Sequence, residues 1–461
     1  MYDTLIIGAG MSGLAAGIRL AYFDQRVCIL ERHHTIGGLN SFYRLRGRDY
    51  DVGLHALTNY SPKGAKRGPW ARALRQLRFQ WEDFCLSPQI GSVIRFPAVE
   101  LRFGNGIELL EAEVAAKFPR ESDGFRKLQE QLTDYDELDQ TQYDLPARPI
   151  LRQIIRDPLL VEMLLCPLMW YGNSRPHDMS FGMFCVMFRS IFLEGFSRPL
   201  AGVRLILKNL IKRFRSLGGE LKLRAGVERI KVEGDRAVGV VLEDGTELTA
   251  RRILSSAGLV ETLRMCDGSS TATVPPGEAL SFAESISVLD RQPRDLGHDR
   301  TIVFYNDSEQ FHWDSPRDEL LDVRTGVICS PNNYQYADEA GLPEGVIRIT
   351  AQANFDRWMD LSEDEYQRQK LRWYDRMSAA AVRFMPDFRS HVIDTDMFTP
   401  KTIRRFTWHD RGGVYGAPDK RLDGTTHLKN LFLCGNDQGF VGIVGSIVSG
   451  ITIANRHCLQ D

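Results

Sequence analysis

The sequence predicts an α/β fold in which strand–helix–strand segments alternate with a helical segment and a strand-rich segment. A strand, a glycine-rich turn, a helix and a second strand follow one another within residues 4–31. Strand and helix patterns alternate again over residues 201–260, where residues 205–217 are predicted to be a helix. Four strand-like runs lie within residues 280–360, the first at residues 285–289. A strand pair is also predicted near residues 92–103, and a helix over residues 363–385. The chain has 461 residues. Because single cores stop growing at roughly 250–300 residues, we expect two or more packed units.

Three glycines form the most specific motif of the chain. Gly8, Gly10 and Gly13 stand in a GxGxxG spacing between an apolar strand-like run and a helical stretch. In a Rossmann-like unit the first glycine allows a tight turn, the second lets the backbone approach a pyrophosphate, and the third lets the helix pack close to the strand. Met11 and Ser12 begin that helix, whose N-terminus offers N–H groups and a positive dipole end to phosphates.

An acidic residue follows where an adenosine ribose is expected. Glu31 ends the second strand-like run, and a carboxylate at this place accepts hydrogen bonds from ribose hydroxyls. Together with the three glycines, it predicts a dinucleotide site. The alternative is a glycine-rich turn that only packs tightly.

The residues after this acid resemble a flavoprotein signature. Arg32 comes first, and a second glycine pair, Gly37-Gly38, is followed by Leu39. This pattern resembles the extended FAD fingerprint of flavoproteins with two dinucleotide-binding domains. The run that ends at His55 is similar to the segment that passes the flavin in the phytoene desaturase, carotenoid isomerase and retinol saturase group. The resemblance implies FAD as cofactor, with Arg32, Gly38, Leu39 and His55 among the residues that contact it.

Two segments near the C-terminus are similar to the other end of the same flavoproteins. A strand-like run leads to Gly435-Asn436, and Gly442 begins an apolar helical stretch that includes Val444. The resemblance implies that Gly435 lies at the ribityl chain. It also implies that the helix N-terminus, with Gly442 and Val444, faces the pyrimidine edge of the flavin, where a helix dipole stabilises negative charge. In the family an aspartate usually follows this glycine, whereas here Asn436 follows Gly435. The side-chain amide of Asn436 is still able to hydrogen-bond a ribityl hydroxyl.

The central segment completes the resemblance, which covers nearly the whole chain. Val227 corresponds to the residue whose backbone meets the adenine. The resemblance implies a Rossmann-like FAD-binding domain that is interleaved with a mixed-sheet substrate domain and a helical cap. The predicted FAD-binding domain is discontinuous and comprises residues 1–60, 201–270 and 400–461. The predicted helical cap and substrate region comprises residues 61–200, and the substrate-domain sheet and helices comprise residues 271–399.

Aromatic and methionine side chains are concentrated in residues 164–188. Trp170, Tyr171 and Phe184 belong to this segment and are predicted to line a tunnel for a long apolar substrate, because such side chains adapt to apolar ligands. The alternative is that they form an ordinary core. The enzymes that the chain resembles take polyenes or other isoprenoids through a helical cap in this part of the sequence.

His55 and Tyr415 are the candidate catalytic residues. By the resemblance, His55 lies close to the reactive face of the flavin, and histidine titrates near neutral pH. It is therefore a candidate acid or base for the proton that accompanies hydride transfer. A structural hydrogen bond is the alternative. Tyr415 lies in a glycine-rich run similar to the retinol saturase and carotenoid isomerase pattern, and either reaches the space between flavin and substrate or only packs there.

The composition argues against several other classes of protein. A net charge of −2 gives no global field that would attract nucleic acid. The eight cysteines show no CxxC pair and no metal-like spacing with histidine, so we expect no metal site. Five of them lie in apolar runs and are interpreted as reduced core thiols: Cys28, Cys166, Cys185, Cys329 and Cys434. The first strand starts near Thr4, which predicts a cytoplasmic protein without a leader. Charged residues interrupt every apolar stretch long enough to span a membrane, so we expect no membrane-spanning helix.

One basic segment has two interpretations. Six basic residues occur between Asp51 and Glu82 without an intervening acid, namely Lys63, Lys66, Arg67, Arg72, Arg75 and Arg78. They alternate with Trp70, Leu74 and Leu77, which is typical of a helix that lies on anionic lipid. The alternative is a solvated helix face. Peripheral membrane contact is therefore one of two predictions for this segment.

These features together predict an FAD-dependent oxidoreductase that desaturates, saturates or isomerises carbon–carbon bonds of an apolar isoprenoid-like substrate. Flavin N5 would exchange a hydride with a substrate carbon, and His55 or water would handle the proton. An amine-oxidase-like flavoenzyme is one alternative, although no aromatic pair is clearly placed as an amine cage. A non-catalytic prenyl-lipid-binding protein of the same fold is another, which the intact glycine motif and Glu31 oppose.

Overall fold

A computed structural model describes residues 1–133, 135, 143–266, 273–277, 280–337 and 341–460, and confirms the predicted α/β class. The strands are β1 (Tyr2–Ile7), β2 (Val27–Glu31), β3 (Phe42–Leu45), β4 (Arg48–Asp51), β5 (Leu86–Pro88), β6 (Ser92–Arg95), β7 (Glu100–Phe103), β8 (Ser197–Pro199), β9 (Glu220–Leu223), β10 (Val227–Glu233), β11 (Arg236–Leu242), β12 (Glu247–Ser255), β13 (Ser281–Leu289), β14 (Ile302–Asn306), β15 (Leu321–Cys329), β16 (Gly345–Ala353), β17 (Val392–Phe398) and β18 (Leu431–Leu433). The α-helices are α1 (Met11–Ala21), α2 (Pro69–Leu77), α3 (Glu108–Lys117), α4 (Ser122–Thr133), α5 (Ala147–Ile154), α6 (Pro158–Gly172), α7 (Phe181–Phe188), α8 (Val203–Ser216), α9 (Leu259–Met265), α10 (Phe355–Met359), α11 (Glu363–Ala381), α12 (Pro400–Thr407) and α13 (Gly442–Ile453).

The first sheet has the strand order β10-β11-β12-β1-β2-β9, and β18 also pairs with β12. Strands β18, β12, β1, β2 and β9 run parallel, whereas β10 and β11 form an antiparallel ribbon that continues into β12. The parallel strands therefore present their carboxyl ends at one edge of the sheet. In open α/β sheets this edge is where ligands bind.

Both faces of the first sheet are covered, as its continuous apolar strands require. Ile6 and Ile29 face a core that includes residues of α1, α8 and α13. Their neighbours Leu5, Cys28 and Leu30 face the opposite way, into a core shared with the β10–β11 ribbon. Side chains that alternate along β1 and β2 thus fill two cores, and the sheet lies between them.

The second sheet is mixed, with the order β17-β13-β16-β15-β14-β6-β7, in which only the β14–β6 pair runs parallel. One face packs against α11, where Trp373 and Met377 are buried with Val303 and Ile328. The other face, which includes Ile302, Phe304 and Val327, packs against the helical cap of α3 to α7. The second sheet is therefore also buried on both sides.

The predicted elements agree with this architecture except at particular ends. The predicted hairpin near residues 92–103, the helix over residues 205–217 and the helix over residues 363–385 are present as β6–β7, α8 and α11. The predicted strand at residues 285–289 starts earlier, at Ser281, so that Glu284 lies inside β13. The domain boundaries stay a prediction, and the one between residues 270 and 271 lies outside the described residues.

Candidate active site

A cavity of about 620 Å³ lies at the carboxyl edge of the parallel strands. Its lining includes Ile7 at the end of β1, Glu31 at the end of β2, Ser256 just after β12 and Cys434 just after β18. Residues that begin α1 and α13 also line it, so two helix N-termini point at one space. The second sheet and the helical cap close the far side, because Phe282, Glu284 and Tyr171 belong to the same lining.

Most predicted site residues are brought together in this cavity. Its lining contains Gly8, Gly10, Met11, Ser12, Glu31, Arg32, Gly38, Leu39, His55, Trp170, Tyr171, Val227, Tyr415, Gly435, Asn436 and Gly442. Gly13, Val444 and Phe184 are not among the lining residues. Val444 and Phe184 are buried in the cores of the first sheet and the helical cap, respectively.

The glycine motif forms a tight turn with an open side. Gly8 has φ = 95°, a left-handed conformation that favours glycine, and a Cβ there would lie 2.7 Å from Ser256 Oγ. A Cβ on Gly13 would lie 2.1 Å from the carbonyl oxygen of Gly8, so α1 approaches β1 more closely than any side chain allows. By contrast, a Cβ on Gly10 would meet no atom of the described residues within 4 Å. The backbone at Gly10 therefore faces open cavity space, as a bound pyrophosphate requires.

Glu31 holds the glycine-rich turn as well as facing the cavity. Its Oε2 accepts a hydrogen bond from the backbone N–H of Ala9 at 2.8 Å, and its Oε1 accepts one from His33 N–H at 2.9 Å. Burial raises the pKa of Glu31, and these backbone N–H groups oppose that shift. The carboxylate thus fixes the turn while lone pairs on each oxygen are left for a ligand.

Arg32 joins two walls of the cavity at the same end. Its Nη2 donates to the carbonyl oxygen of Val227 at 3.2 Å, and its guanidinium carbon lies 3.8 Å from the ring centroid of Trp408. Its Nη1 is buried, and among the described residues it has no hydrogen-bond partner. An unsatisfied buried donor beside a cavity fits a polar ligand at this place. Trp408 was not predicted from the sequence, since nothing in its local pattern marks it as part of the site.

At the other end, Asp437 anchors the turn that carries Gly435 and Asn436. Its buried carboxylate accepts hydrogen bonds from the backbone N–H groups of Leu259 at 2.7 Å and Ala417 at 2.6 Å. The side-chain amide of Asn436 donates to the carbonyl oxygen of Val414 at 2.7 Å. In the sequence, Asp437 was noted only because it comes one residue later than the aspartate of the usual Gly-Asp pair. No sequence pattern indicated that its carboxylate joins its own turn to the segments of Leu259 and Ala417.

His55 belongs to a buried polar cluster. Its Nε2 lies 2.6 Å from Glu284 Oε2, and Thr350 Oγ1 lies 3.4 Å from each of these two atoms. Arg348 donates to the other oxygen of Glu284. Burial alone would raise the pKa of Glu284, but the positive charge of Arg348 and the contact with His55 outweigh it and lower that pKa. Glu284 and Arg348 were missed by the sequence analysis.

The wall opposite the glycine-rich turn is aromatic. The rings of Tyr415 and Phe282 meet edge to face with centroids 5.8 Å apart, and Phe282 also packs against Trp170 at 5.6 Å. The Tyr415 hydroxyl donates to the carbonyl oxygen of Trp170. Tyr171 packs against Phe196 with centroids 5.0 Å apart. Apolar and aromatic side chains therefore face the same space as His55.

Comparison with known proteins identifies relatives over nearly the whole chain. A family described as an NAD(P)-binding Rossmann-like domain matches residues 6–73. Prolycopene isomerase from Daucus carota is 25% identical, with 99% of this chain and 80% of the relative covered. All-trans-retinol 13,14-reductase from Danio rerio is 22% identical (99% and 86% covered), and the lycopene-forming phytoene desaturase from Pantoea ananas is 27% identical (88% and 86% covered).

The chain is a homologue of these enzymes. This confirms the resemblance that the motifs predicted. The names of the three relatives describe an isomerase, a reductase and a desaturase. The homology therefore supports an oxidoreductase in general and does not single out one of these reactions.

Solved structures show the same fold as this chain. An oxidoreductase from Methanosarcina mazei superposes with a TM-score of 0.68 at 16% identity, covering 98% of this chain and 100% of that one. Cyclohexylamine oxidase from Brevibacterium oxydans IH-35A gives 0.64 at 14% identity, with 99% and 98% covered. At these identities the likeness establishes the architecture, a Rossmann-like domain combined with a mixed sheet.

The remaining sequence expectations concern surfaces and cores. In the described part of the chain, no helix has both the length and the apolar character needed to cross a bilayer. The six basic residues around α2 are exposed, but Trp70, Leu74 and Leu77 are buried in the core. The five cysteines interpreted as core thiols are buried. The cytoplasmic location stays a prediction.

Proposed function

We propose that this protein is an FAD-dependent oxidoreductase that acts on carbon–carbon bonds of an apolar, isoprenoid-like substrate. The observation that carries the proposal is a single cavity that joins the glycine-rich turn to an aromatic wall and to His55. The homology to carotenoid and retinoid enzymes supports the class of substrate.

The residues of the cavity fit a dinucleotide. The open space at Gly10 and the unsatisfied Nη1 of Arg32 are features that a bound dinucleotide would fill. In this proposal Glu31, Arg32 and Val227 hold the adenosine, and Gly10, Met11 and Ser12 hold the pyrophosphate, with Gly8 and Gly13 shaping the turn. The residues proposed to hold the ribityl chain and the flavin are Gly38, Leu39, His55, Gly435, Asn436 and Gly442. Val444, which the resemblance also implied, is buried in the core of the first sheet.

The protein itself must manage the proton of the reaction. When bound, FAD supplies a hydride acceptor or donor for one substrate carbon. In desaturation the neighbouring carbon gives up a proton, and the electron pair of its C–H bond forms the double bond. His55 is the ionisable side chain that we propose for this proton, because it lines the same space as the aromatic wall and an imidazole nitrogen can accept or donate a proton. The aromatic wall excludes water and orients the apolar substrate.

The predicted substrate residues divide into two groups. Trp170 and Tyr171 line the cavity and are proposed to contact the substrate directly. Phe184 is fully buried in the helical cap, so a contact with substrate would require the cap to open. Tyr415 also lines the cavity, but its hydroxyl already donates to the Trp170 carbonyl, which favours a role in shaping the wall over proton transfer.

A visible spectrum of the purified protein tests this proposal. We expect flavin bands that bleach with anaerobic dithionite and recover when an unsaturated polyene lipid is added. Anaerobic bleaching of the oxidised flavin by amines, or peroxide release with amines in air, without any response to polyenes would replace the proposal with the amine-oxidase alternative. A protein that takes up no flavin after incubation with FAD would contradict the enzyme and favour a lipid-binding protein.

A further inference from the structure

The Glu284 side chain links His55 to the second sheet. Glu284 lies on β13 and pairs with Thr350 on β16, while Arg348 stands two residues away on the same strand. Residues two apart on a strand share one face of the sheet, so all three side chains point to the same side. His55 comes from the loop after β4, 229 residues away from Glu284 in the sequence. The contact therefore joins the first chain segment of the cavity to its far wall.

Arg348 fixes both the carboxylate and the backbone that carries His55. Besides its contact with Glu284, its guanidinium donates to the carbonyl oxygens of Leu54, at 3.1 Å, and of Val52. Arg348 and Glu284 are almost completely buried, with exposed side-chain fractions of 4% and 9%. A buried ion pair with several further hydrogen bonds is held in one geometry, since any rotation would leave a charge unpaired in the interior.

The backbone of His55 is fixed from a second direction. Its carbonyl oxygen accepts a hydrogen bond from the Tyr334 hydroxyl at 2.9 Å. With Nε2 held by Glu284, the ring has one polar atom left, Nδ1. Among the described residues Nδ1 has no hydrogen-bond partner, and it is not one of the sealed, unsatisfied atoms of the interior. Because His55 lines the cavity, Nδ1 is the atom that a ligand can reach.

The chemistry of the partners assigns the proton on this ring. An ionised carboxylate has only acceptor atoms, so the nitrogen that faces it must carry the hydrogen. Arg348 has only donor atoms, and it occupies the other carboxylate oxygen. The neutral imidazole is therefore Nε2–H, with the lone pair on Nδ1. An acid that holds a histidine in one tautomer and stabilises its protonated form is the arrangement that catalytic triads use.

We propose that Glu284 and Arg348 are positioning residues that hold His55 with its hydrogen on Nε2 and its Nδ1 open to the cavity. Nδ1 then accepts the proton from the substrate carbon, forming an N–H bond, and returns it in the reverse direction. The resulting imidazolium keeps its Nε2–H on Glu284. The catalytic use of this arrangement rests on the proposed function, whereas the tautomer does not.

The tautomer is measured by 15N NMR of protein labelled at histidine, with the His55 signals assigned by their loss in His55→Asn. We expect neutral His55 to show a protonated Nε2 and a bare Nδ1 in the wild-type protein. In Glu284→Gln, Arg348 has only donors and therefore contacts the amide oxygen of the introduced side chain. The amide NH₂ group of that side chain then faces His55. Nε2 must then accept, and the hydrogen moves to Nδ1. Wild-type His55 with its hydrogen on Nδ1 would overturn the proposal even if Glu284→Gln did not fold, and so would an unchanged tautomer in that variant.

Turnover gives the second measurement. In Glu284→Gln protein that still binds flavin, we expect kcat to fall about 10²- to 10⁴-fold with KM little changed, the range for a lost acid or base. Glu162→Gln is the matched control, because Glu162 is equally buried and paired with Arg148 at 2.8 Å but lies outside the cavity lining. It should leave tautomer and kcat unchanged. If the tautomer changes in Glu284→Gln but kcat does not, the catalytic use of His55 is refuted. If the wild-type protein binds no flavin, the proposed function is refuted, whereas the tautomer result still holds.

Discussion

Gly10 and Gly13 belong to one motif but make different demands on the structure. A Cβ on Gly13 would lie 2.1 Å from the Gly8 carbonyl oxygen, whereas one on Gly10 would have no neighbour within 4 Å in the part of the chain that the structure describes. Gly10 also has φ = −73° and ψ = −178°, which any L-residue adopts. A substitution at Gly13 should therefore disturb folding, and one at Gly10 should disturb only what enters the cavity.

His298 is a buried histidine outside the cavity lining, with only 3% of its surface exposed. Burial lowers its pKa to about 4 from 6.5, and its Nε2 has no partner in the part of the chain that the structure describes. Between these two pH values the unfolded chain binds a proton that the folded chain does not. The stability contributed by neutral His298 is thus complete above pH 6.5 and is lost as the pH falls towards 4.

We predict that His298→Asn makes stability less sensitive to acid. Between pH 7 and pH 5 the wild-type protein should lose about 2 kcal/mol through this group, and the variant should not. Urea unfolding at the two pH values measures the difference. His177→Asn is the matched control, since its side chain is 71% exposed, and it should behave as wild type. Equal losses in His298→Asn and wild type would rule out His298 as the source.

At the scale of single elements, α2 shows that one amphipathic pattern is compatible with two different environments of the helix. The sequence left two interpretations open: a helix whose apolar residues enter lipid while its basic residues meet head groups, or a solvated helix face. In the structure Trp70, Leu74 and Leu77 are buried in the core, and only the basic residues around them are exposed. An amphipathic helix that already packs on a core has no apolar face left for a membrane. What remains is a purely electrostatic surface.

We predict that any binding to lipid through this surface depends on charge alone. The protein should bind vesicles with phosphatidylserine at low salt, release them at about 0.5 M salt, and ignore neutral vesicles, because salt screens exposed charges. Reversal of Arg67 and Arg72 to glutamate should weaken binding in a vesicle sedimentation assay. Reversal of Arg120 and Lys127, exposed on another surface, should not. Binding that persists at high salt would mean that apolar insertion occurs after all.

At the scale of the whole molecule, more of the contacts could be read from the sequence at the glycine-rich end of the cavity, which we propose binds the dinucleotide, than around His55. Gly8, Gly10, Gly13 and Glu31 lie within one strand–helix–strand unit, so their local spacing is enough to place them. The two ends of the chain were matched through resemblance, and the structure brings Gly435 into the same cavity.

The contacts of His55 were not readable in the same way. Glu284 interrupts the apolar pattern of β13, and the predicted strand therefore began only after it. Its partner Arg348 lies on β16, and no local pattern tells which strands will pair. Composition also fails to separate a tunnel from a core: Trp170 lines the cavity and Phe184 does not, although both come from one aromatic segment.

The FAD content of purified wild-type protein, compared with Gly10→Val and Gly104→Val, decides whether this cavity is a dinucleotide site. A Cβ on Gly104 would also lie more than 4 Å from every other described residue it could meet, and Gly104 lies outside the cavity lining, so it controls for the substitution itself. We predict one FAD per chain in wild type and Gly104→Val, none in Gly10→Val, and the same thermal unfolding midpoint for all three apoproteins. Full FAD binding by folded Gly10→Val would contradict a dinucleotide at the glycine-rich turn.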